Sequence, residues 1–184
     1  TTNLPFSYLI ENNSETYLVP ASNLRSVGTI RDAQKWPKRD KRTDPNSLDQ
    51  INFNLLSPYT IQKMFAGVDI LKNLQKIAGE ECSNYYYQNT RIKASSLKKG
   101  ITVYEMGIWK FIGNSIIKRL EETPFKSIQE IRNRLQPDTS IGTGDWIDVA
   151  GLILPISVGK EVLQKIESGE YNDIDTINKQ FSEI

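Results

Sequence analysis

The sequence predicts a mainly α fold, an irregular helical bundle preceded by a short β-hairpin or extended arm over residues 1–21. Three observations predict it. Apolar residues recur at three- and four-residue spacing through two long stretches, roughly 58–78 and 95–122, the mark of helices with one buried face. Cap residues, prolines and glycines punctuate those stretches where helices should begin and end. Strand-like runs are few, and the connections between periodic segments are short. Residues 22–184 therefore read as one helical domain, and the abrupt start at Thr1 and the amphipathic end at Ile184 suggest a piece cut from a longer chain.

In chain order, Phe6 to Ile10 and Tyr17 to Val19 flank Asn12-Asn13-Ser14, a turn-forming trio between two aromatic and β-branched runs. A lone two-stranded hairpin is marginal in water, so this arm needs a surface to lie on. Ser22 is placed to cap a helix running to about Lys35, with Pro37 as its stop. A charged stretch from Lys38 to Ser47 and a short helix over about 46–55 follow. Ser57-Pro58 then opens a helix carrying Ile61, Met64, Val68, Leu71 and Leu74 on one face, closed by Gly79.

Residues 80–94, with the Tyr85-Tyr86-Tyr87 triplet, read as a loop containing one strand-like piece. Ser95 or Ser96 opens the longest helix, roughly 40 Å at 1.5 Å per residue. Its stripe runs Leu97, Ile101, Tyr104, Ile108, Phe111, Ile112, Ile116 and Leu120. Gly100, Gly107 and Gly113 inside it each cost about 1 kcal/mol against alanine, which predicts a close neighbour or a bend. Ser127 with Glu130 forms a capping-box pattern for a helix ending near Leu135. The turn-rich segment 137–145 leads into a predicted helix at Trp146, with Asp145 as its cap and Asp148 as box partner. A helix over 158–166 closed by Gly169, and a last one capped by Asp173 or Asp175, complete the chain.

Composition removes several chemistries. The 184 residues, 38% hydrophobic and 24% charged, suffice to bury about 70% of the surface of the unfolded chain. A net charge of +1 gives no overall attraction for nucleic acid, membrane or acidic substrates. The chain contains no histidine, so it cannot by itself build Ser-His or Cys-His catalysis or a histidine-bearing zinc site. Cys82 is the lone cysteine, which excludes an intrachain disulfide and fits a reducing, cytoplasmic compartment. Its neighbours Glu80 and Glu81 would disfavour a reactive thiolate. No run approaches the roughly 18 apolar residues of a membrane-spanning helix. No cofactor or metal is expected.

The leading candidate site is the basic, tryptophan-bearing stretch Arg31, Lys35, Trp36, Lys38, Arg39 and Arg42. Guanidinium groups grip phosphate bidentately, and an indole offers a stacking face for a base or sugar. The simpler account is a solvated linker paired with acids such as Asp32 and Asp44. Residues 161–184 carry six acids and two bases, net −4, and either pair with that stretch or form an ordinary solvated face. Secondary candidates are Asp145, Trp146 and Asp148, where a Gly142-Thr143-Gly144 turn could offer backbone N–H groups to an anion or the two carboxylates could meet a cation. The triple tyrosine could be a stacking platform or a half-buried interface.

Three stretches, NLRSVGTIRDAQKWPKRDKR (23–42), FNLLSPYT (53–60) and GNSIIKRLE (113–121), resemble the helical C-terminal part of a family of uncharacterised bacterial proteins. The resemblance covers nearly the whole chain and carries no catalytic residue with it. It implies a preceding left-handed parallel β-helix of hexapeptide repeats, as in acyltransferases and the tails of sugar-nucleotide enzymes. It also implies a partner surface for the N-terminal arm and an oligomeric parent, since hexapeptide-repeat proteins are often trimers. Fold analogy does not fix function. The function expected from these readings is a non-catalytic module that packs on an upstream domain and contributes contacts to a phosphorylated small molecule. A fragment of a sugar-nucleotide or acyl-transfer enzyme, with Asp145 or Asp148 in acid–base roles, and a nucleic-acid-binding module are the alternatives. The near-neutral charge argues against the last.

Overall fold

A computed structural model describes residues 3–40, 54–121, 124–149 and 151–183. It is mainly α with small sheets: six helices and six short strands among the described residues. The N-terminal arm is a hairpin. Strands β1 (Tyr8–Asn12) and β2 (Glu15–Val19) pair antiparallel around Asn13 and Ser14, both at positive φ (50° and 62°), as a tight two-residue hairpin turn demands. The arm finds the surface it needs. Leu18 is buried in the core, and Tyr17 registers with Arg91 of a second hairpin.

A 3-10 turn (Ser22–Arg25) and helix α1 (Val27–Arg39) follow. The cap is Ser26, not Ser22: its Oγ accepts from the Thr29 N–H at 3.1 Å. Pro37 lies inside α1 and does not stop it. Its missing N–H removes one bond to the Ala33 carbonyl, but Ala33 is only half-buried and the helix ends within the same turn. Of the short helix expected over 46–55, residues 46–53 lie outside the described residues, and 54–56 are not helical.

Helix α2 (Pro58–Ala78) matches its prediction, with proline in the first turn. Its capping box is closed by Thr60, whose Oγ1 accepts the Ser57 N–H at 2.9 Å while its own N–H donates to Ser57 Oγ at 3.2 Å. Residues 80–94 hold two strands where one was expected, β3 (Asn84–Tyr87) and β4 (Thr90–Lys93), antiparallel to each other. Alternation explains the difference: Tyr85 and Ile92 register across the hairpin and both point inward, fully buried. The four-stranded sheet has the order β1-β2-β4-β3, with a parallel contact between the two hairpins.

Helix α3 (Ala94–Leu120) packs on α2. Leu4, Leu18, Ile61, Met64, Leu71, Tyr85, Ile92, Leu97 and Tyr104 form one buried cluster between the helix pair and the inner sheet face. The expected close neighbours of the α3 glycines are real for two of three. A Cβ at Gly100 would stand 2.7 Å from Pro20 Cβ, and one at Gly107 3.1 Å from Met64 Sδ, whereas Gly113 faces open space.

Beyond α3 come α4 (Ile128–Leu135), β5 (Trp146–Val149), β6 (Leu152–Pro155), α5 (Ile156–Glu167) and α6 (Ile174–Glu183). Ser127 caps α4 as predicted, although Glu130 reaches back to the Lys126 N–H at 2.9 Å. That bond, with Arg134 beside it, holds the Glu130 carboxyl below its ordinary pKa. The helix expected at Trp146 is instead the strand β5, so Asp145 caps nothing there. Ile147 and Leu154 register across the β5–β6 hairpin, and Ile147 Cδ1 lies where a Cβ on Gly159 of α5 would come within 2.9 Å. Strand alternation on a helix partner overrode the capping pattern. Asp173 caps α6, receiving the Thr176 N–H at 2.7 Å.

Candidate functional site

Helical geometry settles how the basic stretch is arranged. In α1, residues 31, 35, 38 and 39 fall within one face of the helix. Arg31, Lys35, Lys38 and Arg39, with Gln34, line a surface hollow of about 400 Å³. Arg31 Nε is 3.2 Å from Asp32 Oδ1, an exposed pair worth little. Lys35, Lys38 and Arg39 form no ion pair among the described residues. No acid lines the hollow among the described residues. Trp36 is 54% exposed and does not line it; three residues before Arg39, it flanks the basic face. Arg42 lies outside the described residues.

The secondary candidates do not join this site. Asp148 Oδ1 accepts the Gly151 N–H at 2.7 Å, so its carboxylate closes the β5–β6 turn. The Asp145 carbonyl accepts the Ile156 N–H at 2.8 Å. Trp146 donates its indole N–H to the Gly142 carbonyl at 3.0 Å and its backbone N–H to Gln62 Oε1 at 2.9 Å. Gly142 and Gly144 have φ of +89° and +85°, so the glycines serve a turn that feeds a strand, and no helix N-terminus stands behind them. No group of three or more His, Cys, Asp or Glu side chains placed to hold a metal occurs among the described residues.

The three consecutive tyrosines divide their work. Tyr85 is buried and donates its hydroxyl to the Gly79 carbonyl at 2.9 Å. Tyr87 packs partly against the core. Tyr86 stands on the outer sheet face, where Arg91 lies between the rings and hydroxyls of Tyr17 and Tyr86 and pairs with Glu15 at 2.7 Å. The Tyr17 hydroxyl bond is the chief reason its guanidinium pKa is raised further. Cys82 is half-buried, with its thiol donating to the Ala78 carbonyl.

A larger feature was not read from the sequence. A cleft of about 1160 Å³ is walled by α1 (Ile30, Ala33, Gln34), the 3-10 turn (Leu24, Arg25), residues 54–56 and one side of α3 (Thr102 to Lys110). Its apolar walls include Met106 and Trp109, which are 56% and 69% exposed. Gln34 stands on the walls of both the cleft and the basic hollow. The signal was present in part: Met106 and Trp109 fall off the apolar stripe of α3, at positions where that stripe assigns water. Their partners across the cleft come from segments far away in sequence, which no periodicity reveals.

Comparison with known families adds no chemistry. Two stretches of the chain match families of unknown function. Residues 1–75 match a domain of unknown function (DUF4954), and residues 127–184 match another (DUF6819). No curated protein and no solved structure matches the chain. The second match starts at the cap residue of α4, whereas the first ends inside α2, part-way through the principal core. No described helix is long and apolar enough to cross a membrane.

Proposed function

We propose that this chain is a non-catalytic binding module whose α1 face contacts a phosphorylated small molecule. One observation carries the reading: four cationic side chains from successive turns of α1 line one hollow that no acid shares among the described residues. Arginine and lysine at helical spacing present a fixed array of donors, and the exposed Trp36 beside them offers a stacking face for a sugar or base. The committed hydrogen bond of Asp148 favours binding over acid–base catalysis.

The module works, in this proposal, beside a neighbouring domain of a longer protein, one with the left-handed β-helix that the sequence resemblance implies. Support comes from β1. All its residues are exposed, including Tyr8, Leu9 and Ile10, and one edge of the strand is unpaired among the described residues. Such an edge is a template for another strand.

Calorimetric titration with inorganic pyrophosphate tests the α1 contact. Lys35→Ala combined with Arg39→Ala should weaken binding about tenfold or more, the order expected from losing two charge-assisted contacts. Affinity should also fall with added salt, because the hollow is open to solvent. Unchanged affinity in the double variant would overturn the reading.

A further inference from the structure

Resting on that reading, we propose that the ligand is an amphiphile: a phosphate-bearing head on the basic face of α1 and an apolar chain in the adjoining cleft. The cleft has the features of a small-molecule site. Side chains from the 3-10 turn, α1, residues 54–56 and α3 converge on it, so apolar and cationic groups from separate segments face one concavity. Its volume, about 1160 Å³, stands just above the roughly 300–1,000 Å³ of ordinary ligand sites.

Its chemistry selects the occupant. Leu24, Ile30, Leu56, Met106 and Trp109 supply apolar walls, and the last two are more than half exposed. Water gains little against such a surface, and a hydrocarbon chain would displace it favourably. The charge at the cleft is one-sided. Arg25 and Lys110 line it with no ion-pair partner among the described residues. The one acid on its wall among the described residues, Glu105, is already paired with Lys72 at 2.7 Å. An apolar pocket with a cationic rim discriminates against neutral and cationic amphiphiles. Gln34 lines both concavities, so the cleft adjoins the basic hollow, and one ligand with a head and a chain can engage both.

Calorimetry on the chain with decyl phosphate below its micellar concentration, inorganic pyrophosphate and decyl glucoside tests this assignment. Decyl phosphate should bind about tenfold or more tighter than either single-feature probe, since burying the chain adds apolar contact to the charge contacts. A decyl phosphate brominated at the chain end should quench a fluorescence component lost in Trp109→Phe. Met106→Glu, at an exposed position that should leave the fold intact, should abolish the chain's advantage and leave pyrophosphate binding unchanged. Equal affinity for decyl phosphate and pyrophosphate, or decyl phosphate binding indifferent to Met106→Glu, would overturn the cleft assignment while the α1 reading stands. Failure of pyrophosphate to bind at all would overturn the α1 reading itself. Equal binding of decyl glucoside and decyl phosphate would show a pocket blind to charge and overturn the amphiphile proposal.

Discussion

The part of the chain before residue 122 and the part after residue 123 are built on different economies of contact. In the first, α2, α3 and the four-stranded sheet enclose a continuous cluster in which Met64, Leu71, Ile92, Leu97 and Tyr104 are fully buried. Side chains press so closely on α3 that a Cβ at Gly100 would stand 2.7 Å from Pro20 Cβ, and one at Gly107 3.1 Å from Met64 Sδ. In the second, the fully or nearly buried hydrophobic side chains among the described residues are Leu154, Val162 and Tyr171. Its order rests more on local bonds: Ser127 and Asp173 as caps, Glu130 to Arg134 and Glu161 to Lys165 one turn apart. The contrast teaches that similar helical patterning can be held by long-range packing or by neighbours in sequence. Long-range packing is the stronger, because a buried leucine is worth several exposed ion pairs.

The largest expected effect separates the two parts by truncation. Leu71→Ala and Leu154→Ala should each cost about 2–5 kcal/mol, with Leu71 at the upper end because the helix pair and sheet around it cannot collapse into the void. Chemical denaturation followed by circular dichroism measures both. If Leu154→Ala shifts one shared transition as far as Leu71→Ala does, the two parts are one cooperative unit and the contrast breaks.

The next test lies within α3. Gly100→Ala should destabilise by about 1–3 kcal/mol, because the new methyl meets the rigid ring of Pro20. Gly113→Ala, facing open space, should stabilise by up to about 1 kcal/mol. Melting temperatures moving in the same direction would sink the argument that close packing ends midway along this helix.

A smaller effect concerns the tie between the parts. Gln62 of α2 donates to the Gly144 carbonyl at 2.6 Å and accepts from the Trp146 N–H at 2.9 Å. Gln62→Ala should cost about 1 kcal/mol and speed amide exchange over residues 142–149, with α2 and α3 unaffected. Faster exchange throughout would mean that this side chain supports the main core as well.

The smallest effect is acidic. Asp173 and Glu130 both have folded pKa values below their ordinary ones, Asp173 chiefly through the Thr176 N–H and Glu130 chiefly through the Lys126 N–H. Their stabilisation is complete above the ordinary carboxylate range and is lost as pH falls through it to the lowered folded values. Acid should therefore loosen α4 and α6 first, and Asp173→Asn should flatten the response of α6. Exchange rates along a pH series report it; simultaneous loosening of α2 would contradict the assignment of these bonds to the distal part alone.

Much of this was legible in residues. The spacing from Ile61 to Ala78 between Ser57-Pro58 and Gly79 determined α2 almost to its ends, because caps and periodicity act within one or two turns. The Asn13-Ser14 turn determined the first hairpin. The basic side of α1 was legible as a cluster, since helical spacing alone brings Arg31, Lys35, Lys38 and Arg39 to one side. Pro37 misled because a proline in a final turn costs only one bond there. Asp145 and Asp148 misled because a capping pattern is also a turn pattern, and Ile147 and Leu154 had a helix to cover.

The sequence by itself thus determined what depends on neighbours a few residues apart: the ends of α2, the caps of α4 and α6, the Asn13-Ser14 turn, the cationic face of α1 and the absence of histidine chemistry. Only the tertiary structure decided what depends on segments far apart: the parallel seating of the first hairpin beside the second, the strand at Trp146, and the cleft between α1 and α3. Those outcomes turn on burial against surfaces that exist only after the chain has folded, and no local pattern encodes which distant surface will be there.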